Sequence, residues 1–354
     1  MRNIIEKVER GENLSLEEGL KLYELDIFTL GKLADKIRKE MHGKKSYYNV
    51  NRHINPTNIC DDVCKFCAYS ANRKNPNPYT MTHEEILDIV ENSSKNGITE
   101  VHIVSAHNGK AGLNWYMDIF KKIKEKYPQI HIKALTAAEI DFLAREYSLS
   151  YDEVIDLMIK NGVDSMPGGG AEVFDERTRD YICKGKVSSS GWLEIHELWH
   201  KRGRKSNATM LFGHVESREN RIDHMIRLRE LQDKTGGFNA FIPLVYQTEN
   251  NYLKIEKSLT GNEFLKTMAI SRIMLRNIPN IKAYWVTSTV NMALLAQEFG
   301  ANDLDGTIER ESINSSAGAD SRNGIELKKF LSMIKSSGFE PVERDSLYNE
   351  IERN

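Results

Sequence analysis

Cys60-Asp61-Asp62-Val63-Cys64-Lys65-Phe66-Cys67 directly follows an extended run, Tyr48-Asn-Val-Asn-Arg-His-Ile-Asn-Pro56. The cysteines read C-x3-C-x2-C, and three thiolates so spaced can hold three corners of an iron–sulfur cube. The only other cysteine, Cys183, lies far along the chain. One iron would therefore stay open to a non-protein ligand, which marks a reactive centre. A zinc knuckle is the alternative, but structural zinc needs a fourth Cys or His close at hand. His53 or His83 could supply it only by folding back. Plain buried cysteines are the remaining reading.

Downstream of the cluster the chain alternates strand and helix patterns. Strands are expected at Asn49–Asn55, Glu100–Ser105, His131–Leu135, Val163–Met166, Asn207–Phe212, Phe238–Leu244, Lys282–Thr287 and Asp303–Gly306. Helices are expected from Thr82 to Asn96 and over Leu113–Lys126, Ser150–Asn161, Ser188–Arg202, Ser217–Thr235, Gly261–Asn277 and Val290–Phe299, with a last one near Ile325–Ser336. Thr82-x-x-Glu85 reads as a capping box. Gly97, Gly162, Gly203, Gly236 and Gly300 stand where helices should stop. Eight such units predict an α/β fold, a (β/α)8 TIM-type barrel. A doubly wound sheet needs fewer units, and a six-strand partial barrel with a separate C-terminal piece is the closer rival. Before the barrel, Ser15-x-x-Glu18 opens a helical stretch whose Leu16, Leu20, Tyr23, Ile27 and Leu30 share one stripe. Residues 1–47 are thus read as a helical extension covering an end of the barrel, and 48–354 as one barrel domain.

The bulk properties narrow the function. Among 354 residues, 49 basic and 51 acidic side chains nearly cancel, which suggests neither a nucleic-acid nor a membrane-surface partner. No run of about 18 apolar residues predicts a membrane span, and the N-terminus lacks the apolar core of a signal peptide. Four cysteines, three of them clustered, make no disulfide framework, so a reducing cytoplasm is expected.

Barrel chemistry gathers where strands end. Phe66 and Tyr69 could shield a cluster or stack on a purine, or simply pack the loop. Ser105-Ala106-His107-Asn-Gly109 follows strand two, where small residues admit a ligand and His107 could handle protons. Glu139, after strand three, suits two ribose hydroxyls, or a helix first turn. Gly168-Gly169-Gly170, after strand four, permits close backbone approach to a ligand or a tight turn. His214 and Glu216, after strand five, are acid–base candidates, and Gln247, after strand six, could meet an adenine edge.

The cysteine cluster, with Phe66 one place before Cys67, resembles the C-x3-C-x-aromatic-C signature of the radical S-adenosylmethionine (SAM) enzymes. The resemblance implies a [4Fe–4S] cluster on Cys60, Cys64 and Cys67, whose open iron binds SAM and whose electron releases a 5′-deoxyadenosyl radical. Ser165–Glu172, Ser206–Glu216, Arg229–Pro243, Ile281–Val286 and Asn302–Thr307 resemble the aminofutalosine synthases of the futalosine route to menaquinone, a likeness running from about Ile54 to Gly318. It implies a transferase that adds the adenosyl radical to 3-[(1-carboxyvinyl)oxy]benzoate; aryl migration and loss of the pyruvyl carboxyl then give 6-amino-6-deoxyfutalosine, with methionine released and a flavodoxin or ferredoxin as electron donor. One turn departs from that family: Ser105–Gly109 replaces a Gly-Gly-Leu-His-Pro-like turn and moves the histidine one place earlier. A dianionic aromatic substrate needs cationic or amide donors, for which Arg52 and Lys133 are candidates if they face inward. Dehypoxanthine futalosine cyclase and the deazaflavin-forming FO synthase subunit share the cysteines and are the enzyme alternatives. A non-catalytic metal-binding protein is the alternative of another class.

Overall fold

The computed structural model describes residues 1–71, 76–255, 259–308, 311–319 and 324–352. Its first barrel strand runs in two pieces, β1 (Lys45–Asn49) and β2 (Asn51–Ile54), joined at Val50. β3 (Glu100–Ile103) and β4 (His131–Lys133) continue from β2 in parallel register. β5 (Ser206–Phe212), β6 (Phe238–Val245) and β7 (Asn280–Ile281) form a second parallel group, and β8 (Asp303–Gly306) pairs with β1. Single bridges Lys133↔Ser165, Met166↔Ser206 and Lys282↔Asp303 join the groups into a ring. The chain is a (β/α)8 barrel.

Two expected strands are shorter than their sequence patterns. Val163–Met166 survives only as the bridging residues Ser165 and Met166. Lys282–Thr287 stops at its first residue, because Trp285–Ser288 coils into a helical turn. The Tyr284 carbonyl accepts from Thr287 N at 3.2 Å and Ser288 Oγ at 3.1 Å, and Trp285 Nε1 reaches across to Gly306 O at 2.9 Å.

A ninth strand, β9 (Glu340–Glu343), pairs with β1 on the side away from β8. The residues after it close the inner, N-terminal end of the barrel. Arg344 Nε donates to Asp303 Oδ2 at 2.6 Å, and Ser346 Oγ bonds the Glu100 carboxylate.

Outside the ring lie α1 (Arg2–Arg10), α2 (Leu16–Leu22), α3 (Ile27–His42), α4 (His83–Ser94), α5 (Leu113–Lys126), α6 (Ala137–Tyr147), α7 (Tyr151–Lys160), α8 (Glu176–Cys183), α9 (Ser189–Lys201), α10 (Arg218–Thr235) and α11 (Gly261–Met274), with shorter turns beyond. α2 packs on α10 and α3 on α11, so these two helices flank the helical ring, while the C-terminal segment closes an end. The boxes Ser15/Glu18 and Thr82/Glu85 both form. Gly97, Gly162, Gly203, Gly236 and Gly300 take φ between +60° and +98°, where a Cβ would be strained.

Alternation along the strands decides which faces are apolar. Val101, Ile103 and Ile132 turn outward into one apolar cluster with Ile86, Val90 and Phe120 of the helices. Their neighbours Glu100, His102 and Lys133 turn inward.

Candidate active site

Strand β2 ends at Ile54 and delivers the cysteine loop to the mouth. Three backbone bonds fix that loop: Asp61 N to His107 O at 2.8 Å, Lys65 N to Ile182 O at 2.8 Å, and Tyr252 N to Lys65 O at 2.7 Å. Cys60, Cys64 and Cys67 are unpaired thiols on the wall of one cavity of about 300 Å³. Among the described residues no three His, Cys, Asp or Glu side chains close on a single ion. Three thiolates on one wall can hold three corners of an iron–sulfur cluster. Burial pushes the Cys60 thiol up and the Cys64 thiol well up, so cluster binding must draw protons off them.

Other groups surround the thiols. Phe66 lines the cavity, with Lys186 Nζ 5.6 Å from its ring centroid. Lys186 pairs with Glu172 at 2.7 Å. Burial opposes the ammonium, but Glu172 and the neighbouring Cys64 and Cys183 outweigh it and hold Lys186 well above the usual lysine range. His107 lies on the cavity wall, with Nδ1 2.9 Å from Asp62 Oδ2 and its ring stacked on Phe142 at 5.1 Å. Ser105 and Ala106 line the same wall. Gln247 does too; its Nε2 donates to Val245 O and Thr287 O at 2.9 and 3.0 Å, leaving the amide oxygen as the group able to accept from a ligand.

The glycine run also has a reason in the protein's own packing. Gly168, Gly169 and Gly170 do line the cavity. A Cβ on Gly168, however, would meet the Ala208 carbonyl carbon at 2.7 Å, and one on Gly169 would meet Thr136 Cγ2 at 2.8 Å. Gly170 has φ +89° and a blocked Cβ position against Ala138 at 2.8 Å. The protein's own packing demands all three glycines before any ligand is considered.

Four expected site residues lie outside the cavity wall. Tyr69 is buried behind the cysteine loop, its hydroxyl 2.9 Å from Thr57 O and 2.6 Å from Tyr79 OH. Glu139 opens α6 as a capping box, and its carboxylate accepts from Ser105 N at 2.9 Å and from Thr136 N and Oγ1 at 2.7 Å each. It therefore clamps two strand ends together instead of facing a ribose. Glu216 accepts from Gly213 N, His214 N and Arg221 at 2.7–2.8 Å. His214 Nε2 bonds Leu211 O at 3.0 Å. Neither side chain has any exposed surface. Loop residues followed by a helix were expected to face the mouth, but the ion pair with Arg221 of α10 turns this pair into the wall.

Sequence reasoning also missed residues. Lys186 and Asp62 carried no signal beyond their charge. The inward alternation of His53, Glu100, His102 and Lys282 was a signal: polar residues at every second position of a buried strand. Lys133 faces inward with them and lines the cavity, whereas Arg52, between the inward Asn51 and His53, faces the other way.

Residues 54–228 match the radical SAM superfamily, and residues 235–353 match the CofH/MqnC C-terminal region. Aminodeoxyfutalosine synthase of Thermus thermophilus is 41% identical over 353 residues, covering 98% of this chain and 95% of that protein. The chain belongs to the radical SAM superfamily. Aminodeoxyfutalosine synthase of Streptomyces coelicolor is 37% identical, covering 98% of this chain and 93% of that one. The fold is shared with a crystal structure of methylornithine synthase, with a TM-score of 0.77 at 17% identity over 96% of this chain and 97% of the other. As a radical SAM enzyme the chain uses a [4Fe–4S] cluster and SAM. No helix among the described residues is long and apolar enough to cross a membrane.

Proposed function

We propose that the chain is an aminodeoxyfutalosine synthase. It adds the 5′-deoxyadenosyl group of SAM to the vinyl carbon of 3-[(1-carboxyvinyl)oxy]benzoate and releases methionine. The aryl group then migrates from oxygen to carbon and the enol carboxyl leaves as carbon dioxide, giving back the electron that started the reaction and yielding 6-amino-6-deoxyfutalosine. The observation that carries this reading is the 41% identity to the Thermus enzyme over nearly the whole of both chains. When bound, the cluster and SAM supply one-electron cleavage of the sulfonium, and a flavodoxin or ferredoxin is the donor we infer.

The chain's own residues would do the rest. Cys60, Cys64 and Cys67 hold the cluster. Phe66, Ser105, Ala106, the Gly168–Gly170 backbone and Gln247 supply the wall beside it. His107, oriented by Asp62, can hold or pass a proton at Nε2. Tyr69, Glu139, His214 and Glu216 keep those walls in register from behind.

Anaerobic, reconstituted protein with dithionite, SAM and the enol ether tests the reading. Methionine and an adenosyl-containing adduct should form in equal amounts. Free 5′-deoxyadenosine as the main nucleoside would reject addition. It would then favour hydrogen abstraction, as in the dehypoxanthine futalosine cyclase and FO synthase readings.

A further inference from the structure

The lumen of a (β/α)8 barrel is ordinarily filled by layers of branched apolar side chains. Here one layer is ionisable. His53 of β2 stands in register with His102 of β3, which stands in register with Lys133 of β4. The imidazoles meet edge to face at 4.6 Å between centroids. Lys133 Nζ lies 2.5 Å from Glu100 Oε2, and Lys282 Nζ lies 3.2 Å from Asp305 Oδ2. Both lysine side chains are 5% exposed or less, yet both line the cavity that holds the three thiols.

Two features single this layer out as a place for a polar ligand. The Nε2 atoms of His53 and His102 are buried with no hydrogen-bond partner, which costs free energy unless something else meets them. Asp305 holds φ +66°, a left-handed conformation that is uncommon outside glycine although Asp adopts it more readily than most. Each ammonium has three donors and gives one to its carboxylate. Glu311, which also faces the cavity, is engaged by the Asn314 and Ser315 amides at 2.8 and 2.9 Å. Each ammonium therefore keeps two N–H donors that an anion could take.

We propose that His53, His102, Lys133 and Lys282 receive the ring carboxylate of the substrate and so select a carboxylated arene. The inference rests on the function proposed above. There, the reacting enol carbon must lie next to the SAM held at the cysteine end. The ring carboxylate, at the far end of the molecule, then points down the lumen to this layer.

Calorimetric titration of SAM-loaded holoenzyme tests it, using 3-[(1-carboxyvinyl)oxy]benzoate and 2-phenoxyacrylate, which lacks the ring carboxylate. Wild type should bind the first at least a hundredfold more tightly. His102→Gln leaves both ion pairs intact, and Glu100→Gln/Lys133→Met removes one pair without stranding a charge. Each should reduce that ratio at least tenfold, with SAM affinity held within about twofold. A ratio unchanged in folded His102→Gln overturns the proposal even if the double variant does not fold. Wild type that binds neither compound rejects the proposed function itself, and this assignment with it.

Discussion

Glu139→Ala separates a wall-clamping carboxylate from a ligand-binding one. The side chain is 3% exposed and accepts three hydrogen bonds, from Ser105 N, Thr136 N and Thr136 Oγ1. Alanine strands two amides at about 1–3 kcal/mol each and removes half of a capping box, about 1 kcal/mol. Against that stands the relief of a desolvated carboxylate, since burial raises the Glu139 pKa. The balance is a loss of about 2–4 kcal/mol. With a urea slope of about 3 kcal/mol/M for a chain of this size, the unfolding midpoint of the apoprotein should fall by about 1 M. Glu139→Gln keeps one acceptor but turns an NH2 group toward a backbone N–H, so about half that loss is expected. Equilibrium dialysis against labelled SAM supplies the second reading: affinity should follow the wall's stability and be largely retained by the Gln variant. An unchanged urea midpoint, with SAM binding weakened tenfold or more in both variants, would refute the clamp and return the carboxylate to the ribose.

Three further outcomes are expected. Gly168→Ala drives a Cβ into the Ala208 and Thr209 backbone at 2.7–2.8 Å, so it should cost about 1–3 kcal/mol and weaken SAM binding; Gly43→Ala, at φ +60° and ψ −124° with open space, should cost a similar amount, about 1–3 kcal/mol, and leave binding alone. Any of Cys60, Cys64 or Cys67→Ala should abolish the iron–sulfur absorbance after reconstitution, whereas Cys183→Ala, removing a thiol buried beside Tyr246 and Leu253, should retain four irons; loss of iron there would make Cys183 a ligand. Burial lowers His200 and His224 to about 3. Below the unfolded value near 6.5 the unfolded chain therefore takes up protons that the fold refuses. Stability is full above pH 6.5 and falls as pH drops, by about 1.4 kcal/mol per histidine at pH 5.5; a urea midpoint flat from pH 7.5 to 5.5 would contradict this.

The sequence by itself determined the cysteine triad, the β/α rhythm and most helix ends. These are local properties: ligand spacing, a period, a cap. Lys282–Thr287 shows where locality fails, because a β-rich string is coiled by bonds to the Tyr284 carbonyl and by Trp285 reaching Gly306. β9 was illegible for a similar reason, since four residues far from their partner acquire strand identity only by pairing with β1.

Side-chain direction was what only the tertiary structure decided at the site. Glu139, His214 and Glu216 follow strands, as mouth residues should, but three or more hydrogen bonds turn each carboxylate into the wall. Lys186 reaches the thiols because α8 carries the chain back over Cys64. The lumen layer of His53, His102, Lys133 and Lys282 is written in four separate strands. Only closure of the ring sets their donors around one space, because a strand fixes which face a residue takes and the barrel fixes what that face meets.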